Sequence, residues 1–366
     1  MIMKRILILA NNDIGLYKFR KELIEELTKE YKVYISLPDG GFIPNLLELG
    51  CEFINTPISR RGANPFTDLK LILNYIKIIK QVKPNIVLTY TIKPNIYGGI
   101  VCRMYKIPYI VNVTGLGSAV ENGGLIQRIT LWLYKIALKK AYCVFFQNIE
   151  NQEEFVNKKK LIRCKYKLIP GSGVNIEQYK TDNYPKDNYI NFLYVSRIMK
   201  EKGIEEYLEA AKYIKSKYPN TIFHIVGFCE EEYQDKLVEL EKKGIIKYHG
   251  FQRDVLEFYR KAHCIIHPTY YPEGMSNVLL ESAACGRAII TTNRSGCREV
   301  VNDNVNGYLI EPRNVNDLII KIEKFLKLSY PEKKQMGIEG RKKVENEFDR
   351  KIIVETYLEN IKEVLR

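Results

Sequence analysis

Residues 190–227 read INFLYVSRIMKEKGIEEYLEAAKYIKSKYPNTIFHIVG. Two short β-rich apolar runs, INFLYVS and TIFHIVG, flank a stretch whose apolar residues recur at helical spacing, GIEEYLEAAKYIKSKY. Strand, polar loop, amphipathic helix and strand make a parallel βαβ unit, since parallel neighbours need a crossover long enough to bring the chain back. The alternation continues in both directions. Downstream come IIKYHG, CIIHPT, AIITTN and GYLIEP, followed by the helical NDLIIKIEKFLKL; upstream come RILILA, KVYISL, CEFINT, NIVLTY, YIVNVT and CVFFQN. Near-continuous apolar strands are buried on both faces, so the expected fold is α/β with two doubly wound, Rossmann-like parallel-sheet domains.

A chain of 366 residues is too long for one ordinary core and suits two domains facing a cleft. Hydrophobic residues at 46% and charged residues at 27% exclude a disordered chain. Between the two strand series, IPGSGVNIEQYKTDNYPKDNY (169–189) has the composition of an interdomain connection. The expected domains are 1–170 and 171–349, with the amphipathic C-terminal stretch 350–366 crossing back to the first.

The net charge of +14 is unevenly placed. Residues 1–170 hold 26 Lys+Arg against 13 Asp+Glu, and residues 171–366 hold 31 against 30. A basic domain beside a neutral one points to an anionic partner of the first domain; a lysine-rich solvated surface is the plainer account. The eight cysteines are scattered, with no C-x-x-C pair or zinc-like His spacing, and are expected to be reduced core thiols. MIMKRILILANN has too short an apolar run for a signal peptide, and no window approaches the roughly 18 apolar residues of a membrane span. The expected location is cytoplasmic, peripheral to the inner face of the membrane.

In doubly wound sheets, ligands bind where strands lead into helix N-termini. The loop HPTYYPEGMSN (267–277) opens the helical VLLESAACG. Gly274 allows close backbone approach, Ser276 or Asn277 can cap the helix, and the N–H groups of Gly274–Asn277 suit a phosphate. Glu273 and Glu281 would lie about 12 Å apart on a continuous helix, and carboxylates accept hydrogen bonds from sugar hydroxyls. A capped helix with two solvated acids explains the same residues. In VSRIMKEKG (195–203), Arg197 and Lys202, with Lys200 as competitor, could neutralise a departing diphosphate. No Asp-x-Asp occurs, so fixed cations are expected in place of a metal.

The order of Gly15, Arg197, Lys202 and EGMSNVLLESAACG resembles glycosyltransferase family 4 over nearly the whole chain. The resemblance implies a GT-B fold, a nucleotide-sugar donor, retention of anomeric configuration and no metal cofactor. It places Gly15 against the diphosphate and Arg197 and Lys202 upon it. Glu273, Gly274, Met275, Ser276 and Asn277 then face sugar and phosphate, Glu281 takes the ribose, and Gly227, Phe251 and Arg253 lie near the base. Attack is from the front face, with the leaving phosphate oxygen taking the acceptor proton. Many members carry a His in the first domain, whereas all four histidines here lie in the second half. Thr114, Gly115 and Gly117 occupy the matching place, although a tight turn explains those glycines equally.

YTIKPNIYGG and VNVTGLGS are similar to bacterial family members that extend undecaprenyl-diphosphate-linked sugars. This implies a UDP-sugar, carrying a hexose or N-acetylhexosamine, and an anionic lipid-linked saccharide acceptor. Arg60, Arg61 and Lys93 are then acceptor-side candidates. The helical stretches 68–84 and 124–141 carry lysines and arginines beside apolar faces suited to an anionic membrane surface, or to packing with a basic solvent edge. A GT-B UDP-sugar 2-epimerase is the rival enzyme. A nucleic-acid binder is disfavoured because the basic residues are not interleaved with an aromatic stacking surface.

Overall fold

The protein is described by a computed structural model covering residues 3–59, 64–115 and 123–366. The chain divides into two compact units. The first comprises Met1–Gly173, Pro272–Met275 and Arg350–Arg366, and the second Val174–Tyr271 and Ser276–Asp349.

The first unit is built on a seven-stranded sheet, parallel at every pairing, in the order β3-β2-β1-β4-β5-β6-β7. The strands are β1 (Arg5–Leu9), β2 (Lys32–Leu37), β3 (Glu52–Asn55), β4 (Ile86–Tyr90), β5 (Tyr109–Val113), β6 (Cys143–Phe146) and β7 (Lys165–Leu168). Ile8 stands opposite Ile35 on one side and Leu88 on the other. Ile6 and Ile8 pack with the helices Asp13–Glu30 and Arg350–Leu365, whereas Leu7 and Leu9 pack with Pro65–Val82 and Gly124–Leu138. Burial on both faces is why the strands read as unbroken apolar runs. β7 escaped the sequence reading because it is an edge strand, KYKL, whose alternating lysines leave it largely exposed.

The C-terminal helix belongs to this unit. Ile353, Tyr357 and Ile361 are buried in the β1 core, and the Tyr357 ring meets Phe145 edge-on at 4.9 Å. Its hydroxyl donates to Asn112 Oδ1. At the helix start, Arg350 donates to Glu22 at 2.8 Å and to the Gly173 carbonyl at 3.1 Å. Arg20 is buried with its guanidinium carbon 5.0 Å from the Tyr90 ring centre and 5.7 Å from that of Tyr357, so its charge is met by ring faces.

The second unit carries a six-stranded, all-parallel sheet in the order β10-β9-β8-β11-β12-β13. Its strands are β8 (Ile190–Val195), β9 (Thr221–Val226), β10 (Lys247–Tyr248), β11 (Cys264–His267), β12 (Ala288–Thr292) and β13 (Gly307–Ile310). The helices Ile204–Lys217 and Val315–Leu326 supply Tyr207, Leu208, Ile214, Leu318 and Phe325 to one core with Phe192, Phe223 and Ile290. Six of the eight cysteines are buried and all are free thiols.

His263 makes this unit sensitive to acid. It is fully buried, and the Asn191 N–H donates to its Nδ1 at 3.0 Å, which leaves the ring proton on Nε2. Burial pulls its pKa from 6.5 down to about 4, and burial beside His249 does the same to His224. Both stay neutral in the fold where the unfolded chain would take up protons. Stability contributed by the neutral rings is therefore present above pH 6.5 and lost as pH falls from 6.5 towards 4. Each histidine should cost about 1–3 kcal/mol across that window. Scanning calorimetry should show a smaller acid loss in His263→Asn, whose amide oxygen can still accept from Asn191. An unaltered slope would contradict the assignment.

Candidate functional site

At the carboxyl edge of the second sheet, β8 runs out at Val195 and a 3-10 turn, Lys200–Lys202, leads to Gly203 and the helix Ile204–Lys217. Gly203 has φ +76°, and a Cβ there would lie 2.2 Å from the Pro268 carbonyl oxygen beyond β11. Absence of a side chain thus lets the turn press on the β11 exit. The packing buries Lys202, which is 6% exposed, and puts its Nζ 4.6 Å from the centre of the Tyr271 ring. The Arg197 guanidinium carbon lies 5.2 Å from the same ring, while its Nη1 is 2.5 Å from Glu230 Oε2. Lys200 is exposed and lies 3.5 Å from Glu205. Two cations converging on one aromatic face, one of them stripped of most of its water, form a strong anion-attracting arrangement.

The helix Asn277–Ala284 starts beside the β11 exit with Ser276 as N-cap. Ser276 holds that position, as expected, but its side chain does not cap. Its Oγ lies 3.3 Å from His267 Nε2 and its N–H donates to the Gly296 carbonyl at 2.7 Å. The expectation that this N–H is available to a phosphate is corrected accordingly, because a neighbouring loop consumes it. The continuous-helix spacing of about 12 Å between Glu273 and Glu281 also fails, since helix geometry begins only at Asn277. Glu281 is held in place: the buried Tyr259 hydroxyl donates to its Oε2 at 3.0 Å. Burial, and then the Glu281 charge, push the Tyr259 phenol well above its ordinary value, so it remains a donor. Phe251 and Phe228 are both about half exposed, with ring centres 6.2 Å apart, and Arg253 lies exposed close by in sequence. Gly227 leaves β9 so close to β8 that its Cβ would fall 1.8 Å from the Ser196 carbonyl oxygen.

Glu273, Gly274 and Met275 group with the first unit. Asn148 Nδ2 donates to the carbonyls of Glu273 at 3.2 Å and Gly274 at 2.6 Å. A Cβ on Gly274 would lie 2.3 Å from the Thr114 carbonyl oxygen and 2.5 Å from Gln147 Oε1. Thr114, Gln147 and Asn148 all leave the carboxyl ends of β5 and β6, so Gly274 is needed where this segment meets that edge. Met275 is buried. Gly115, at φ +141°, faces the Gly274 amide. Gly15 lies in the first turn of Asp13–Glu30, and its N–H is taken by the Asn12 side chain at 2.6 Å. Lys93 is committed to Asp68 at 2.7 Å, and Tyr97 donates to the other oxygen of that carboxylate. Arg60, Arg61 and Gly117 lie outside the described residues.

Sequence reasoning missed Tyr271, Tyr259, Glu230, His267 and Asn148. Tyr271 sits inside the loop that already held Glu273, but its contact with Arg197 and Lys202 is spatial, and nothing local in the sequence marks it. Tyr259 and Glu230 lie far along the chain from their partners and leave no local pattern.

Glycosyl transferases group 1 is the family description matched by residues 175–343, and Glycosyl transferase 4-like the one matched by residues 5–148. Between them they take in both sheets except the edge strand β7, and this chain belongs to the glycosyltransferases built from these two modules. It is 27% identical, over 99% of both chains, to the N,N'-diacetylbacillosaminyl-diphospho-undecaprenol alpha-1,3-N-acetylgalactosaminyltransferase of Campylobacter jejuni. It is 24% identical to the UDP-Gal:alpha-D-GlcNAc-diphosphoundecaprenol alpha-1,3-galactosyltransferase of Escherichia coli, over 80% of this chain and 79% of that one. Among solved structures, Anabaena HepE in complex with UDP and glucose superimposes with a TM-score of 0.79 at 20% identity, covering 98% of this chain and 99% of the other. That likeness shows the fold, the GT-B pair of Rossmann-like units.

Proposed function

We infer that the protein transfers a hexose or N-acetylhexosamine, with retention, from a UDP-sugar to a saccharide carried on a lipid diphosphate, working peripherally at the inner face of the cytoplasmic membrane. The single observation that carries the donor site is the pair of cations, Arg197 and Lys202, on the Tyr271 ring. Both relatives named above act on undecaprenol-diphosphate-linked sugars, and both form alpha-1,3 linkages. Their names favour transfer over the epimerase rival. Among the described residues no helix is long and apolar enough to cross a membrane.

In the proposed reaction the acceptor oxygen bonds to the anomeric carbon as the bond from that carbon to the phosphate oxygen breaks. The acceptor proton passes to the departing phosphate, which leaves as UDP. Arg197 and Lys202 offset charge that grows on the diphosphate in the transition state. Glu281, aimed by Tyr259, accepts hydrogen bonds from the ribose. On this account Arg197 and Lys202 supply the charge neutralisation, and no metal is invoked.

Glu281→Gln should raise the UDP-sugar dissociation constant by roughly tenfold, the cost of weakening charge-assisted hydrogen bonds. Calorimetric titration reads this directly, and unchanged donor affinity would remove the ribose assignment. A thermal-shift panel of UDP-, GDP- and dTDP-sugars should single out a UDP-sugar. NMR of the product's anomeric proton then decides retention.

A further inference from the structure

Helices between parallel strands run opposite to them, so their N-terminal turns stand at the carboxyl edge of the sheet. In the first unit, Pro65–Val82 and Gly124–Leu138 are two such helices, both packed on the same side of the sheet. Leu71, Tyr75 and Ile78 of one and Tyr134 and Leu138 of the other supply the core. Their N-terminal halves also bear large apolar side chains that point into solvent. Phe66 is 84% exposed, Leu125 72% and Trp132 61%, with Leu69, Leu73 and Ile129 about half exposed. The spacing 66, 69, 73 and 125, 129, 132 makes one stripe on each helix, both near the carboxyl edge.

The charge around these stripes is predominantly positive: the acid on the first helix, Asp68, is paired with Lys93 at 2.7 Å. From Leu69 to Ile149 the chain holds eleven Lys+Arg and a single acid, Glu121. Lys70, Lys77, Lys80, Arg128, Lys135 and Lys139 are all exposed. An ordinary solvated surface interleaves both signs, as the second half of this chain does with 31 basic and 30 acidic residues. Exposed apolar stripes set in an excess of cations match the acyl boundary and phosphates of an anionic bilayer; a second copy of the same face would bring like charges together.

We propose that these two stripes dip into the headgroup–acyl boundary of an anionic phospholipid bilayer while the surrounding lysines and arginines bind lipid phosphates, so that the carboxyl edge of the first unit is held at the membrane surface. The proposal rests on the lipid-acceptor reading for its purpose, and on exposure and charge for its substance. Insertion of apolar side chains distinguishes it from charge attraction alone, which salt would abolish.

Trp132 is the only tryptophan in the chain and therefore reports on the stripe without labelling. Full-length protein is mixed with phosphatidylcholine vesicles with or without phosphatidylglycerol. With the anionic vesicles, emission should shift to the blue by about 10 nm and be quenched by lipids brominated on the acyl chain. A double variant, Leu125→Glu with Ile129→Glu, changes only exposed positions and should lose the shift and at least tenfold in vesicle affinity. Its transfer to a water-soluble, short-chain acceptor should be unchanged. Emission indifferent to anionic vesicles overturns the proposal, as does a blue shift that appears without lipid together with a doubled mass by light scattering. Binding that survives in the double variant overturns it too. Transfer without vesicle binding leaves the catalytic reading standing, whereas vesicle binding without transfer from any UDP-sugar leaves only the surface.

Discussion

Lys202→Ala is expected to lower kcat by about 10²–10³-fold while changing the KM for the donor by less than tenfold, the profile of a charge that matters most in the transition state. The reason is burial. Lys202 is 6% exposed and lies against the Tyr271 ring, so its field is poorly screened where diphosphate charge would build up. Arg197→Ala should cost less, because its side chain is 34% exposed and its field is better screened by water. Lys200→Ala, at an exposed position paired with Glu205, should leave turnover near wild type. Steady-state kinetics on the three variants, with melting temperatures to show that the fold survives, would rank them. Turnover in Lys202→Ala equal to that of the wild type would remove the diphosphate role.

That ranking also marks how far the sequence could be read. Strand after strand was legible because burial on both faces writes an unbroken apolar run, and the loops at the carboxyl edge followed from where such strands end. Arg197 and Lys202 were visible as cations on one loop. The choice between Lys200 and Lys202 was not, since it depends on a turn only three residues long, closed by Gly203 against Pro268. The partners that aim the charged groups were hidden for a related reason. Glu230 stands 33 residues from Arg197 and Tyr259 stands 22 from Glu281, separations with no local periodicity to betray them. Lys93 shows the opposite failure: it looked available, and Asp68, 25 residues away, takes it. β7 was invisible because an exposed edge strand has no reason to be apolar.

Gly227→Ala should damage the second unit more than any change to a charged residue. Gly227 has φ +153°, and a Cβ there would fall 1.8 Å from the Ser196 carbonyl oxygen and 2.9 Å from its carbon. Both atoms are backbone at the end of β8, so no side chain can swing aside. The position is also tied down: the Gly227 N–H donates to Gly250 at 2.9 Å, and Ser196 N–H donates to Val226 at 3.1 Å. Relief would require parting β8 from β9, two interior strands paired over a six-residue register. A cost of about 4 kcal/mol or more follows, large against the 5–15 kcal/mol that holds a domain folded. In a unit of this size that corresponds to a melting temperature lower by roughly 10–20 °C, or to protein that does not accumulate in folded form. Gly244→Ala is the matched control, with φ +69° but nothing within 4 Å of its Cβ. It pays only the left-handed backbone penalty, about 1–2 kcal/mol, and should melt only a few degrees below wild type. If the two variants melted together, backbone strain alone would explain both and the contact with Ser196 would carry no weight. If Gly227→Ala alone collapses, the glycine is there to let two strand exits pass, and loss of activity in that variant is no measure of contact with the nucleotide base.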